Sequence, residues 1–226
     1  MRERNYFAAM MVNEGDADAL ISGYSRNYPT VVKPMLELIG MANGVSKVAT
    51  TNLMMTKRGP LFLSDTSINI DPDAKSLAKI TQMTSNVIKM FGLKPVLAMV
   101  SYSNFGSTRT KDSQKMAKAA AILKEENPNL VVDGEIQGDF ALDAEKMQRI
   151  FPFSPLAEES ANTLIFPNLN AGNMAYKLIQ EIAEVDSIGP VLVGMKKPVH
   201  ILQLGCTVRE IINMVTLSVV DAQIKR

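Results

Sequence analysis

The chain has 226 residues, 46% of them apolar and 21% charged, the balance of a soluble globular protein with a sizeable core. Its 24 Lys and Arg offset 23 Asp and Glu, and a net charge of +1 lacks the basic excess of a nucleic-acid-coating protein. One cysteine, Cys206, excludes an internal disulfide and a Cys-rich zinc site, so the expected compartment is the cytoplasm.

No apolar run approaches the roughly 20 residues of a membrane span, and Met1-Arg2-Glu3-Arg4 leads into no signal-peptide core. The opening residues read as the middle of a domain. Tyr6–Val12 is apolar and Gly15-Asp16-Ala17-Asp18 follows at once, which implies that the first strands of the fold lie outside this chain. Strand-like runs then occur at Ser46–Met55, Pro60–Leu63, Pro95–Ser101, Leu130–Asp133, Thr163–Phe166 and Pro190–Val193. Several are continuous apolar stretches, as in Val96-Leu97-Ala98-Met99-Val100, suiting strands buried on both faces of a mostly parallel sheet.

Helical patterns lie between them. Asp71-Pro72 predicts a helix start, with Leu77, Ile80, Met83, Val87 and Phe91 on one face and Gly92 as the stop. A second helix is expected from Lys111 to Glu126, a third from Gly172 to Val185, and a last from Thr207, where Thr207-Val208-Arg209-Glu210 forms a capping box. Alternating strands and helices make the fold class α/β.

Two segments follow a strand and open a helix: Ser101-Tyr102-Ser103-Asn104-Phe105-Gly106-Ser107, with Arg109 and Lys111 beyond, and Pro167-Asn168-Leu169-Asn170-Ala171-Gly172-Asn173. Such loops either cradle an anion on their backbone N–H groups or serve as ordinary Ser/Asn/Gly turns. No P-loop, dinucleotide Gly-x-Gly-x-x-Gly or Gly-x-Ser-x-Gly nucleophile motif occurs. His200, between Val199 and Ile201, reads as a packed or hinge residue, and Cys206 as a small apolar one. Strand alternation puts Asp133 and Glu135 on one side, with Asp139 beyond; the competing and simpler reading is a strand-end turn at Gly134. The 15 methionines are core filler, with Met10-Met11 and Met54-Met55 as candidates for a buried interface.

Five motifs in order carry a family resemblance. Gly15-Asp16-Ala17-Asp18-Ala19-Leu20-Ile21-Ser22-Gly23, Lys94-Pro95 with Leu97–Ser103, Val132–Gln137, Leu164–Asn173, and Lys197-Pro198-Val199 with Gly205-Cys206 resemble the phosphate acetyl/butyryltransferases. Thr51–Met55, Gly59–Thr66 and Val31–Pro34 are most similar to the transferase-like C-terminal region of bacterial NADP-dependent malic enzymes. The family's complete fold is longer, and this chain resembles its C-terminal two-thirds. The resemblance implies two α/β domains with mostly parallel sheets and an interdomain cleft for coenzyme A, in the architecture of isocitrate and isopropylmalate dehydrogenases. Residues 1–45 with 197–226 would form the first domain, and 46–196 an inserted second one.

The same resemblance identifies departures. Where active transferases carry a Ser-Arg pair, this chain has Gln203 and Leu204; their Asp is Glu210, and another family Arg aligns with Glu181. A phosphoryl group thereby loses bidentate partners. The implied function is an acetyl-CoA-binding regulatory domain without acetyl transfer, its cleft lined by Ser22, Ser103, Ser107, Asn170 and Lys197. An active phosphate acetyltransferase and a structural oligomerisation module are the alternatives. The implied ligand is acetyl-CoA or CoA. NADP and a divalent metal would serve only a malic-enzyme portion of the same polypeptide, and that portion together with further copies of the chain are the expected partners, with neither nucleic acid nor membrane.

Overall fold

The computed structural model describes residues 3–225; Met1, Arg2 and Arg226, the outer limits of the expected first domain, lie outside them. The elements in order are α1 (Arg4–Glu14), β1 (Leu20–Gly23), α2 (Tyr28–Leu38), β2 (Ala49–Thr56), β3 (Gly59–Ser64), α3 (Ala74–Met90), β4 (Val96–Val100) and α4 (Lys111–Glu126). There follow β5 (Val131–Ile136), α5 (Gly138–Ala141), α6 (Ala144–Ile150), a 3-10 turn at Pro155–Ala157, β6 (Thr163–Ile165), α7 (Leu169–Ala183), β7 (Ser187–Val193), β8 (Val199–Leu202) and α8 (Val208–Ile224).

Six strands form one sheet in the order β5-β4-β6-β3-β2-β7. It is parallel across β5, β4, β6 and β3, and antiparallel where β2 pairs with β3 and with β7, so it is mixed rather than parallel throughout. Leu97 and Met99 of β4 enter the core with α3 and α4, while Val96, Ala98 and Val100 enter the core with α6 and Tyr176 of α7. Every residue of β4 is buried, as its unbroken apolar run predicts.

The second sheet is only β1 and β8, paired in parallel with Leu20 opposite Val199 and Gly23 opposite Leu202. Gly23 has φ +118°, and a Cβ there would stand 2.3 Å from the Leu202 carbonyl oxygen, so this close pairing requires glycine. A third core, with Ala9, Val31, Met35, Leu192, Met195 and Ile201, joins α1 and α2 to the end of β7. α8 reaches the other way: its Met214 and Leu217 pack into the large sheet's core.

Capping chemistry places the helices. The Thr207–Glu210 and Thr110–Ser113 pairs both form reciprocal capping boxes. α3 begins later than expected: Asp73, not Asp71, accepts from Ser76 N–H, and Asp71 instead accepts from Lys115 at 2.6 Å. α7 begins earlier, because Asn168 accepts from Ala171 N–H and brings Gly172 inside the helix. A Cβ on Gly172 would lie 2.3 Å from the Asp65 carbonyl oxygen, so glycine sets how closely α7 approaches the sheet. Met54 is fully buried like the rest of β2 before it, whereas Met55, next to the β2–β3 turn, is half exposed.

Candidate functional site

Strands β3, β6, β4 and β5 run parallel, so the loops that leave them share one edge of the sheet, where α/β proteins gather ligands. The Ser101–Ser107 loop turns most of its amides inward there. Its amides are spent inside: Ser103 N–H donates to Ser101 Oγ, Asn104 N–H to Ser107 Oγ, and Thr108 N–H to Ser103 Oγ. Phe105 N–H donates to the Glu135 carbonyl, and Gly106 N–H to the Glu135 carboxylate at 2.6 Å. Ser103 Oγ adds a third bond to Glu135, at 3.0 Å, and contacts Ser107 Oγ at 3.2 Å. A buried carboxylate from β5 therefore takes up the Ser103 hydroxyl and the Gly106 amide of this loop.

This arrangement also corrects both readings of Asp133 and Glu135. They lie inside β5, not in a turn after it, and the register shift opposite Met99 and Val100 separates them. Asp133 accepts from Lys124 Nζ and, at 2.7 Å, from Ser154 Oγ, away from the Glu135 partners. Asp139 pairs with Lys146 on the surface, and that ammonium holds its carboxyl below the ordinary value. Among the described residues no group of three or more His, Cys, Asp or Glu side chains converges to hold a metal ion.

Just beyond the carboxyl end of β8, Gln203 meets α7. Gln203 Oε1 accepts from Lys177 Nζ of α7 at 2.8 Å, and Gln203 Nε2 donates to Tyr176 Oη at 3.4 Å. Tyr176 lies under Lys177, whose ammonium stands 4.7 Å from the ring centre. Burial pushes the Tyr176 phenol up, and burial pulls the Lys177 ammonium down against the opposing pull of Glu210. Glu210 itself accepts from Thr207 N–H at 2.7 Å and from Thr207 Oγ1, closing the capping box. Leu204 is 61% exposed, and Cys206 is a free, half-buried thiol whose pKa burial and the Glu210 charge both raise. Arg209 turns outward to Asp186 at 2.9 Å.

The other candidate residues divide. Ser22 sits on β1 one residue before Gly23, at the same end of the small sheet as Gln203, with its hydroxyl donated to Asn5. Glu181 is exposed on α7, one turn beyond Lys177. Asn170 is exposed in the first turn of α7, on the shared edge with Ser103 and Ser107. Lys197 precedes β8, at the opposite end of that strand from Gln203. His200 is packed, as its apolar neighbours imply, with Nε2 3.4 Å from the Asp221 carboxylate.

A buried polar hub at the end of β3, close to α2, escaped the sequence reading. Asp65, after β3, accepts from the N–H groups of Thr50, Ser67 and Asn69. The Tyr28 hydroxyl of α2 is buried nearby; burial and the Asp65 charge raise its pKa far above the ordinary value.

Residues 1–219 match the family described as phosphate acetyl/butaryl transferase. An NADP-dependent malic enzyme of Haemophilus influenzae is 39% identical over 216 residues, covering 96% of this chain and 28% of that protein. A phosphate acetyltransferase of Nitratidesulfovibrio vulgaris is 38% identical over 226 residues, 100% of this chain and 32% of that protein. The chain thus spans less than a third of those two relatives. A phosphotransacetylase crystal structure from Streptococcus pyogenes superposes with a TM-score of 0.89 at 35% identity, over 98% of this chain and 67% of that one. A fold likeness extends to a 4-hydroxythreonine-4-phosphate dehydrogenase from Klebsiella pneumoniae, with a TM-score of 0.59 at 12% identity. This chain belongs to the phosphate acetyl/butaryl transferase family.

Proposed function

We propose that the chain is a regulatory domain of an NADP-dependent malic enzyme that binds acetyl-CoA and does not transfer acetyl groups. The observation that carries this reading is the network at the end of β8. Gln203 is tied to Lys177 and Tyr176, Leu204 presents a methyl surface, and Glu210 is locked into a helix cap. An amide, an isobutyl group and a carboxylate present no bidentate cation to a phosphoryl group. Losing one donor aimed at a transition state costs about 3–4 kcal/mol, or roughly a hundredfold or more in rate. Glu210 adds repulsion toward any phosphate approaching the α8 N-terminus.

A cleft between the two α/β units, 1–45 with 197–226 on one side and 46–196 on the other, would hold the thioester. Asn170 and Lys197 have side chains with surface to offer such a ligand, while Ser22 and Ser103 already spend theirs on Asn5 and Glu135. Coupling to a malic-enzyme portion requires two states of different affinity for the thioester. Joined to that portion, the domain would make malate oxidation sensitive to acetyl-CoA, and deleting it should abolish the response. A response that persists after deletion overturns the regulatory reading.

A second reading, an active phosphate acetyltransferase, is favoured by the match of this whole chain to part of the Nitratidesulfovibrio vulgaris protein and by Lys177, an exposed cation beside Gln203. Acetyl-CoA formation from acetyl phosphate and CoA decides between them. Turnover that falls with Lys177→Ala would establish the second reading.

A further inference from the structure

We infer that the pocket between the Ser103 loop and the first turns of α4 takes a free α-amino acid with an apolar side chain. This goes beyond the proposed thioester site and does not depend on it. The pocket has a volume of about 360 Å³ and opens beside the edge strand β5, with Phe105, Arg109, Gln114, Ala117 and Glu135 among its walls. Glu135 is 3% exposed. Ser103 Oγ and Gly106 N–H both donate to its Oε1. No described donor reaches Oε2, and Oε2 is not among the sealed, unpartnered atoms, so it is the oxygen that opens to the pocket. A buried carboxylate with one oxygen free is completed by a cationic donor.

Arg109 supplies the opposite charge. It stands over Gly106, the residue whose N–H holds Glu135: a Cβ built on Gly106 would lie 4.0 Å from Arg109 Nε. The two charges form no ion pair with each other, and among the described residues Arg109 pairs with no other carboxylate. Opposite charges that flank one glycine and stay apart leave room for a molecule that carries both. An ammonium at Glu135 Oε2 and a carboxylate on the planar Arg109 guanidinium, which grips carboxylates bidentately, satisfy both walls at once. Phe105 and Ala117 then face the side chain, which selects an apolar one. A plain amine leaves Arg109 unused, and a plain carboxylate meets repulsion from Glu135.

Calorimetric titration of the chain with L-leucine tests this, and saturable binding is expected. Isoamylamine, which lacks the carboxylate, and isocaproate, which lacks the ammonium, should each bind at least about tenfold more weakly. Arg109→Ala, at an exposed position, should weaken leucine by at least about tenfold and leave isoamylamine unchanged. Glu135→Gln keeps an oxygen for Ser103 and Gly106 and should abolish leucine binding with unchanged circular dichroism. Should that buried change disturb the fold, the Arg109→Ala comparison still decides. No saturable heat with leucine at millimolar concentration overturns the proposal. So does leucine binding that Arg109→Ala leaves intact, or isoamylamine binding as tight as that of leucine.

Discussion

The two sheets obey different rules. The large one has helices on both faces, and its central strand β4 is buried from Val96 to Val100. The small one is two strands of four residues with both outer edges unpaired among the described residues. Beside it α8 exposes Val208, Ile212, Val215 and Val219 along one side. Fully covered strands must be apolar throughout and so announce themselves, whereas a short strand with open edges has little side-chain pattern to show. Gln203 and Leu204, where the resemblance implies a departure from the transferase pair, follow β8 of the less regular sheet.

The contrast can be broken by substitution. Leu97→Ala, at the centre of β4, should cost about 2–5 kcal/mol in urea or thermal unfolding, because the covered core cannot close over the cavity. Ile201→Ala, equally buried in β8, should cost less than half of that, since an open-edged pair can relax. Equal losses would erase the distinction between the sheets. Hydrogen exchange should likewise leave β1 and β8 amides less protected than those of β4 and β6.

Gly172→Ala comes next. Its Cβ meets the Asp65 backbone, so α7 must shift, at about 1–3 kcal/mol. Asp221 tests the α8 junction through pH. Burial acts to raise its carboxyl pKa, but the His200 and Lys225 contacts win and the net shift is downward from 3.8. A depressed carboxylate stabilises the fold above its unfolded value and stops doing so as pH falls through its folded value. Wild type should therefore exceed Asp221→Asn in stability near neutrality and converge with it in acid below pH 3.8. A gap that is constant with pH would refute the assignment. Thr207→Ala should lose about 1 kcal/mol with the α8 cap. The exposed Lys94–Glu159 pair should matter least: Lys94→Ala should change stability by about 0.5 kcal/mol or less.

Legibility in the sequence follows the range of the interaction. The α4 limits and the α8 capping box rest on contacts three residues apart, and both are read correctly from spacing. α1 and α2 carry weaker signals; Pro34, inside α2, argues against a helix there, although Pro29 stands in its first turn. β1 and β8 are too short for alternation to register. Glu135 beneath the Ser103 loop joins residues 32 apart, and Lys177 to Gln203 joins residues 26 apart. No local pattern encodes such pairs. The motif Leu164–Asn173 marks the right edge of the sheet, but which of its amides were already bonded is a tertiary fact.

On the proposed reading the chain holds a thioester in its cleft and offers a phosphoryl donor no cationic clamp at the end of β8. Calorimetric titration of the chain with acetyl-CoA and, in parallel, with acetyl phosphate tests it most directly. Saturable heat with acetyl-CoA and none with acetyl phosphate is the predicted result; saturable binding of acetyl phosphate, lost on Lys177→Ala, would contradict it.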